Sequence, residues 1–286
     1  MVFFRAISRL PFWFLYFLAD VIYGLNFYVV GYRKQVVLSN LRKAFPEKNE
    51  KEIQQIAKGF YRNLADVIVE TLKTLSITED EVRRRVKVVN SELVRKWVEQ
   101  EQKIVLMTAG HLCNWEWLGL MPVVMPGIAF EGVYKPLSSP FFGKLMDTIR
   151  TRFGYRMTPM ASIFRSMVTD KTPRVIGLGS DQNPDNPHTA YWTIFFDQET
   201  PFMNGHEKMA MRFGYPLVFV DIVRVGRGYY EFVFTELASP PYTGITDHYL
   251  NQVYVDKLES AIRKHPANWL WSHRRWKHQR ERQAVQ

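Results

Sequence analysis

The sequence predicts an α/β protein, a mixed and mostly parallel sheet flanked by helices, with an N-terminal helical membrane anchor. Three observations carry that expectation. From Lys103 onward, short apolar runs of strand composition alternate with helical stretches, the pattern of an α/β layer. Residues 35–102, by contrast, read as helical. Residues 10–32 are dominated by Phe, Trp, Tyr and Leu, with Arg5 and Arg9 before them and Arg33 and Lys34 after. The expected organisation is an anchor over 1–34, a helical region over 35–102 packing on the core, and a core over 103–286. A chain of 286 residues can bury a substantial core without a staple.

The apolar stretch approaches the roughly 20 residues that cross a bilayer. Asp20 and Asn26 interrupt it, and a charge near mid-membrane is expensive. A span and an interfacial or oblique helix pair therefore both remain open, as does a buried helix of a soluble protein. No small-x-small site ends the run, which disfavours a cleaved signal peptide, and basic residues on both flanks give no orientation. Val36, Val37 and Leu41 then recur at helical spacing until Pro46 stops the segment. Ile53, Ile56, Ala57, Phe60, Leu64, Val67, Ile68 and Leu72 make an amphipathic stripe over 50–75. Thr78 and Glu81 read as a capping box, and Asn90 as the cap of a helix over 91–100. Strands are expected at 104–108, 128–134, 174–178, 217–223 and 229–234, the last two joined as a hairpin through 224–228. Helices are expected at 114–120, 140–153, 161–169, 205–213 and 247–264.

The chemistry concentrates where the first of those strands ends. His111 and Glu116 lie in Ala109-Gly110-His111-Leu112-Cys113-Asn114-Trp115-Glu116-Trp117. Open α/β sheets collect ligands at the carboxyl ends of their strands, so His111 falls on the rim expected to hold a site. Asn114 can cap the following helix, leaving Glu116 in its first turn near the positive end of the dipole. On one helix, residues five apart diverge by about 140°, so the two meet only if His111 stands off on the turn. An imidazole that donates one nitrogen to a carboxylate offers the other as a base, fit to take a proton from an alcohol attacking an ester or thioester. The competing readings are a loop histidine beside an ordinary carboxylate, a Cys113–His nucleophile, and a metal site, for which one His and one Glu supply too few ligands. Cys113 reads as a small packing residue.

Asp181 follows Val175-Ile176-Gly177-Leu178-Gly179-Ser180 and should reach the same rim, as a site residue or as part of an Asx turn. Lys135 ends another strand, before Pro136. Arg150 and Arg152 are i, i+2 on a helix and cannot share a face, so one at most should enter the site, where a guanidinium suits phosphate. Ser138 and Ser139 have no paired base. His206 and Glu207 open a helix. His273, among Trp269, Trp271 and Trp276, belongs to a basic aromatic cluster expected to face an interface or to pack.

A net charge of +10 with 15% aromatic residues points to an anionic partner with an apolar component. With no zinc-finger spacing or RNA-recognition motif in the chain, that partner reads as membrane lipid and not nucleic acid. The single cysteine excludes an intramolecular disulfide framework and fits a reducing cytosolic face.

The His111 to Glu116 segment resembles the HX4(D/E) motif of the glycerolipid acyltransferase superfamily, and its His-x-x-x-Asn-Trp-Glu form resembles the late lipid A acyltransferases of lauroyl and myristoyl transferase type. Four further stretches are similar to that family in its usual order: Asn40-Leu41-Arg42-Lys43-Ala44-Phe45-Pro46-Glu47, Val133-Tyr134-Lys135-Pro136 followed by Arg150-Thr151-Arg152-Phe153-Gly154, Ser180-Asp181-Gln182, and Trp269-Leu270-Trp271-Ser272-His273-Arg274-Arg275-Trp276-Lys277. They cover nearly the whole chain. The resemblance implies a glycerolipid acyltransferase-like fold at the inner membrane, with its active site on the cytoplasmic face. It implies transfer of a fatty acyl chain from acyl carrier protein, or acyl-CoA, to a hydroxyl of a lipid A precursor. His111 would be the general base assisted by Glu116, with Arg150, Arg152, Asp181 and Lys135 as substrate-binding candidates and no metal or redox cofactor. The alternatives are a lysophospholipid or aminolipid acceptor, or a non-catalytic membrane-binding protein. Direct attack on the thioester needs no acyl-enzyme, so Cys113→Ser is expected to keep appreciable transfer activity. Near-complete loss in a normally folded variant would count against direct transfer.

Overall fold

The apolar run after Lys103 becomes a strand, Val105–Ala109, buried at every residue. A strand covered on both faces reads as continuously apolar. The structure is a computed structural model and describes residues 1–280; residues 281–286, the end of the expected core, lie outside the described residues. The strands are β1 (Val86–Val88), β2 (Val105–Ala109), β3 (Phe130–Tyr134), β4 (Arg156–Pro159), β5 (Val175–Gly179), β6 (Tyr191–Phe195), β7 (Gln198–Phe202), β8 (Leu217–Gly226) and β9 (Tyr229–Ala238). Seven form one sheet in the order β1-β9-β8-β2-β5-β3-β4, with β6 and β7 a separate hairpin. Among the described residues only β8 and β9 pair antiparallel within the large sheet, so it is mixed and mostly parallel, as expected from the sequence.

Register sets up the site. β2 and β5 are parallel neighbours with Ala109 opposite Gly179. His111 and Asp181 each lie two residues beyond that pair, so the two chain ends leave the sheet side by side.

Several expectations are corrected. Residues 86–88, inside the stretch read as helical, add a strand to the edge of β9. Asn90 caps no helix: its amide donates to the Phe234 carbonyl and its oxygen accepts from the Phe234 N–H, so it continues that edge as a strand would. Thr78 does accept from Glu81 N–H, but the Glu81 carboxylate bonds Arg85, so the box is half made. The expected helix over 114–120 is a 3₁₀ helix, Trp115–Leu120. The segment 91–100 is a short helix, Glu92–Arg95, running into a π-helical turn, Lys96–Gln100.

The N-terminal helix Phe12–Gly24 continues as a π-helical segment, Leu25–Val30, and lies along helix Glu50–Lys73. Leu15, Ala19, Tyr23 and Phe27 face inward among Phe60, Tyr61 and Trp271. The outer face leaves Trp13, Phe17, Leu25, Tyr28, Val29 and Val30 at least half exposed. Asp20 has an ion-pair partner on the protein: Arg227, at the tip of the β8–β9 hairpin, holds it at 2.7 Å. Arg227 and Arg224 also grip the buried Asp66 of helix Glu50–Lys73, at 2.7 and 2.5 Å. Removing one partner of a buried pair costs about 3–5 kcal/mol, and with the guanidiniums partly in water Asp66→Ala should cost about 2–3 kcal/mol. Asp20 is exposed, so Asp20→Ala should cost under about 1 kcal/mol. Urea midpoints of the two variants check this, and equal shifts would mean that the hairpin does not anchor through Asp66.

Candidate active site

The His111 backbone N–H donates to Asp181 Oδ2 at 2.8 Å, and His111 Nδ1 stands 2.5 Å from Asp181 Oδ1. The Trp269 indole N–H completes the set on Oδ2 at 2.8 Å. An ionised carboxylate only accepts, so Nδ1 must carry the proton and Nε2 is left as the basic nitrogen. Asp181 is buried, which alone would raise its pKa. The His111 charge, the His111 hydrogen bonds and the Trp269 indole reverse that and bring it down to about 2. Burial works the other way on His111, but the Asp181 carboxylate bonded to the ring outweighs it, and Glu116 adds a smaller push. His111 therefore lies above the usual histidine value.

Two glycines make room for this. A Cβ on Gly110 would sit 2.5 Å from Leu258, and one on Gly179 would come 3.3 Å from His111 Cε1. Between His111 and Asn114, Cys113 takes a left-handed backbone, φ 48°, which lets the turn close before the 3₁₀ helix. Its side chain is buried and its thiol pushed up to about 12 by desolvation, the opposite of an activated nucleophile.

Glu116, expected to hold the His111 ring, is taken by Arg150 in a bidentate pair, Nε to Oε2 at 2.8 Å and Nη2 to Oε1 at 2.7 Å. The geometric reason is that Asp181 comes straight off the neighbouring strand, whereas Glu116 points from the 3₁₀ helix toward helix Pro140–Arg150. Trp115 bridges the two pairs, its ring edge-on to His111 at 5.3 Å and its N–H on Glu116 at 3.1 Å. Burial tends to discharge Arg150, and Glu116 more than compensates, so the guanidinium pKa is raised.

The other candidates are not brought to His111 by direct contact. Arg152 donates to the Thr74 carbonyl, and exposed Lys135 pairs with Asp185 at 2.5 Å. Ser139 caps helix Pro140–Arg150. Glu207 accepts the His248 and Asn251 N–H groups, and buried His206 packs against the Tyr254 ring. The basic aromatic cluster does not face an interface throughout: Trp269, Trp271 and Arg275 are buried, and His273 lines the narrow cleft over His111 with Gln182 and Leu270.

Sequence reasoning missed the residues that support the turn. Asn114 does not cap with its side chain; its amide donates to Glu70 Oε2 at 2.7 Å. Glu70 is fully buried, also accepts from Tyr230 and Tyr16, and is pushed up to about 7 by desolvation. The segment 268–275 straps the rim: the Asn268 carbonyl accepts from Cys113 N–H, and Leu270 N–H donates to the His111 carbonyl. Buried Asn40, in the Asn-Leu-Arg-Lys stretch, donates to the Trp271 and His273 carbonyls, both at 2.8 Å. The resemblance of the Asn40–Glu47 stretch to the family was the available signal.

A rim histidine made basic by a buried aspartate, beside a carboxylate–arginine pair, is equipment for activating a hydroxyl for group transfer. The model of the bacterial lipid A biosynthesis acyltransferase family matches residues 1–278. The chain belongs to that family and is an acyltransferase. It is 23% identical over 278 residues, 94% of this chain and 87% of the relative, to the lipid A biosynthesis palmitoleoyltransferase of Escherichia coli (strain K12). The match to the lipid A biosynthesis acyltransferase of Shigella flexneri has the same identity and coverage.

Because Asp181 favours the charged ring, the neutral base is populated only above a raised pKa. The acid limb of kcat/KM should therefore lie above the usual histidine value, and Asp181→Asn should move it to lower pH. The same variant should reduce kcat on the order of 10³–10⁴-fold by freeing the wrong tautomer. A pH–rate profile with an unmoved limb would remove Asp181 from this role.

Proposed function

We propose that the protein transfers a fatty acyl chain from acyl carrier protein to a hydroxyl of a lipid A precursor, with His111 as general base. The observation that carries this is the 2.5 Å His111 Nδ1–Asp181 contact, which leaves Nε2 as the proton acceptor. The acceptor O–H gives its proton to Nε2 while its oxygen attacks the thioester carbonyl carbon. The tetrahedral oxyanion collapses, the C–S bond breaks, and the leaving thiolate takes the proton back from the imidazolium. Asp181 orients the ring and stabilises its charged form. Glu116 assists through Arg150, holding a guanidinium beside the site where an anionic glycolipid or a phosphopantetheine arm would enter.

The exposed face of residues 12–30 is the seat on the membrane in this reading. The apolar surface continues where Phe4 meets Phe141, ring centroids 6.0 Å apart, at the start of the helix that ends in Arg150. Lipid and chemistry would then lie at two ends of one helix, on the cytoplasmic side of the inner membrane.

The test is transfer of a labelled acyl group from acyl carrier protein to a tetra- or penta-acylated lipid A precursor, with wild type and His111→Ala in parallel. Transfer by wild type alone is expected. Refusal of this pair with acceptance of a lysophospholipid or acyl-CoA would reassign the substrates, and equal activity in His111→Ala would remove the base.

A further inference from the structure

Gln182, next to Asp181, is the residue whose side chain meets the working nitrogen of the base. Its carboxamide Nε2 lies 3.3 Å from His111 Nε2. With Nδ1 carrying the proton that faces Asp181, Nε2 of the neutral ring has only a lone pair, so the amide must be the donor and the imidazole the acceptor. In the resting site a protein N–H therefore occupies the place an acceptor hydroxyl must take.

The neighbouring residue is fixed from every side. The Asn183 backbone N–H donates to His273 Nε2 at 3.2 Å, its amide donates to the Arg274 carbonyl at 2.8 Å, and its oxygen accepts from Arg275 Nη1 at 2.9 Å. Arg275 is buried, with no carboxylate bonded to it among the described residues, stacked over Phe202 at 4.2 Å and donating to the Pro201 carbonyl. Asp181 on the other side is held by three donors. Gln182 thus projects from a backbone clamped at both neighbours, and its partly buried side chain is aimed into the cleft over the ring.

We propose that Gln182 is a catalytic residue that binds the acceptor oxygen, its amide N–H holding one lone pair while the O–H is handed to His111 Nε2. The inference rests on the acyl-transfer reading above. The acceptor hydroxyl displaces the amide from Nε2 and inherits its N–H. The oxygen is then held by two hydrogen bonds, one accepted and one donated, with its remaining lone pair free to attack the carbonyl carbon. A reacting atom located from two directions gains most of what orientation can supply, and misplacement by about 1 Å costs on the order of 10²-fold.

Steady-state kinetics with labelled acyl-acyl carrier protein and a lipid A precursor test this in wild type, His111→Ala, Gln182→Ala and Gln182→Glu. Glutamate keeps the shape but, ionised, has no N–H to donate. Both Gln182 variants should lose on the order of 10²-fold in kcat, with the KM for the acyl donor within about threefold of wild type. Their unfolding midpoints should match wild type, since the clamps are on Asn183 and Asp181. A Gln182→Ala enzyme within about threefold of wild type in kcat and acceptor KM, with His111→Ala inactive, overturns the role of Gln182 and leaves the base intact. Full activity in Gln182→Glu shows that shape and not donation matters, and also overturns it. No transfer by wild type would instead sink the underlying substrate reading.

Discussion

A buried carboxylate survives in a folded chain only if donors replace the water it gives up. Asp181 has three, supplied by the His111 backbone, the His111 ring and the Trp269 indole, so two distant parts of the sequence converge on one side chain. That convergence decides the tautomer of the His111 imidazole, the angle of its ring and the position of the strap 268–275. It also explains the glycines beside it. Gly179 leaves the ring space against β5, and Gly110 lets helix Tyr249–Lys264 press Leu258 against the turn. Moving any of these shifts the imidazole against Asp181.

The helical region is part of the same construction. Glu70, in the last turn of helix Glu50–Lys73, holds Asn114 of the turn, while Asn40 and Arg33 hold the strap. Tyr16 reaches Glu70 from the N-terminal helix, which places an apolar, half-exposed helix one side chain away from the support of the His111 turn. Arg224 and Arg227 fasten the same layer to the sheet through Asp66. The site is a product of the whole chain.

What could be read from sequence follows from this. β2 and β5 were legible because strands buried on both faces are written as unbroken apolar runs, and their ends placed His111 and Asp181 on one rim. The pairing itself was not, because register between strands some 70 residues apart leaves no local signal. Proximity in sequence therefore favoured Glu116. The β6–β7 hairpin escaped for a different reason: its two-residue turn is Phe196-Asp197, at φ 51° and 56°, where such turns normally advertise themselves with Asn-Gly. β1 is three residues long and follows Arg83-Arg84-Arg85, a composition that reads as a helix end. Asn90, Asn114 and Thr78 all looked like caps. Only Thr78 caps with its side chain, since an asparagine amide serves a strand edge or a buried carboxylate equally well.

The strap has a consequence for how the enzyme comes into being. Chains emerge amino end first, so the apolar helix Phe12–Gly24 is available before any of the sheet is made. Residues 268–275, which supply Trp269 to Asp181 and His273 to the Asn183 turn, are translated after every strand of the sheet. Until they arrive, Asp181 lacks its indole donor and the His111 turn lacks its partner strand segment at Leu112 and Trp269. A nascent chain therefore presents its apolar helix before His111 and Asp181 have their full set of partners.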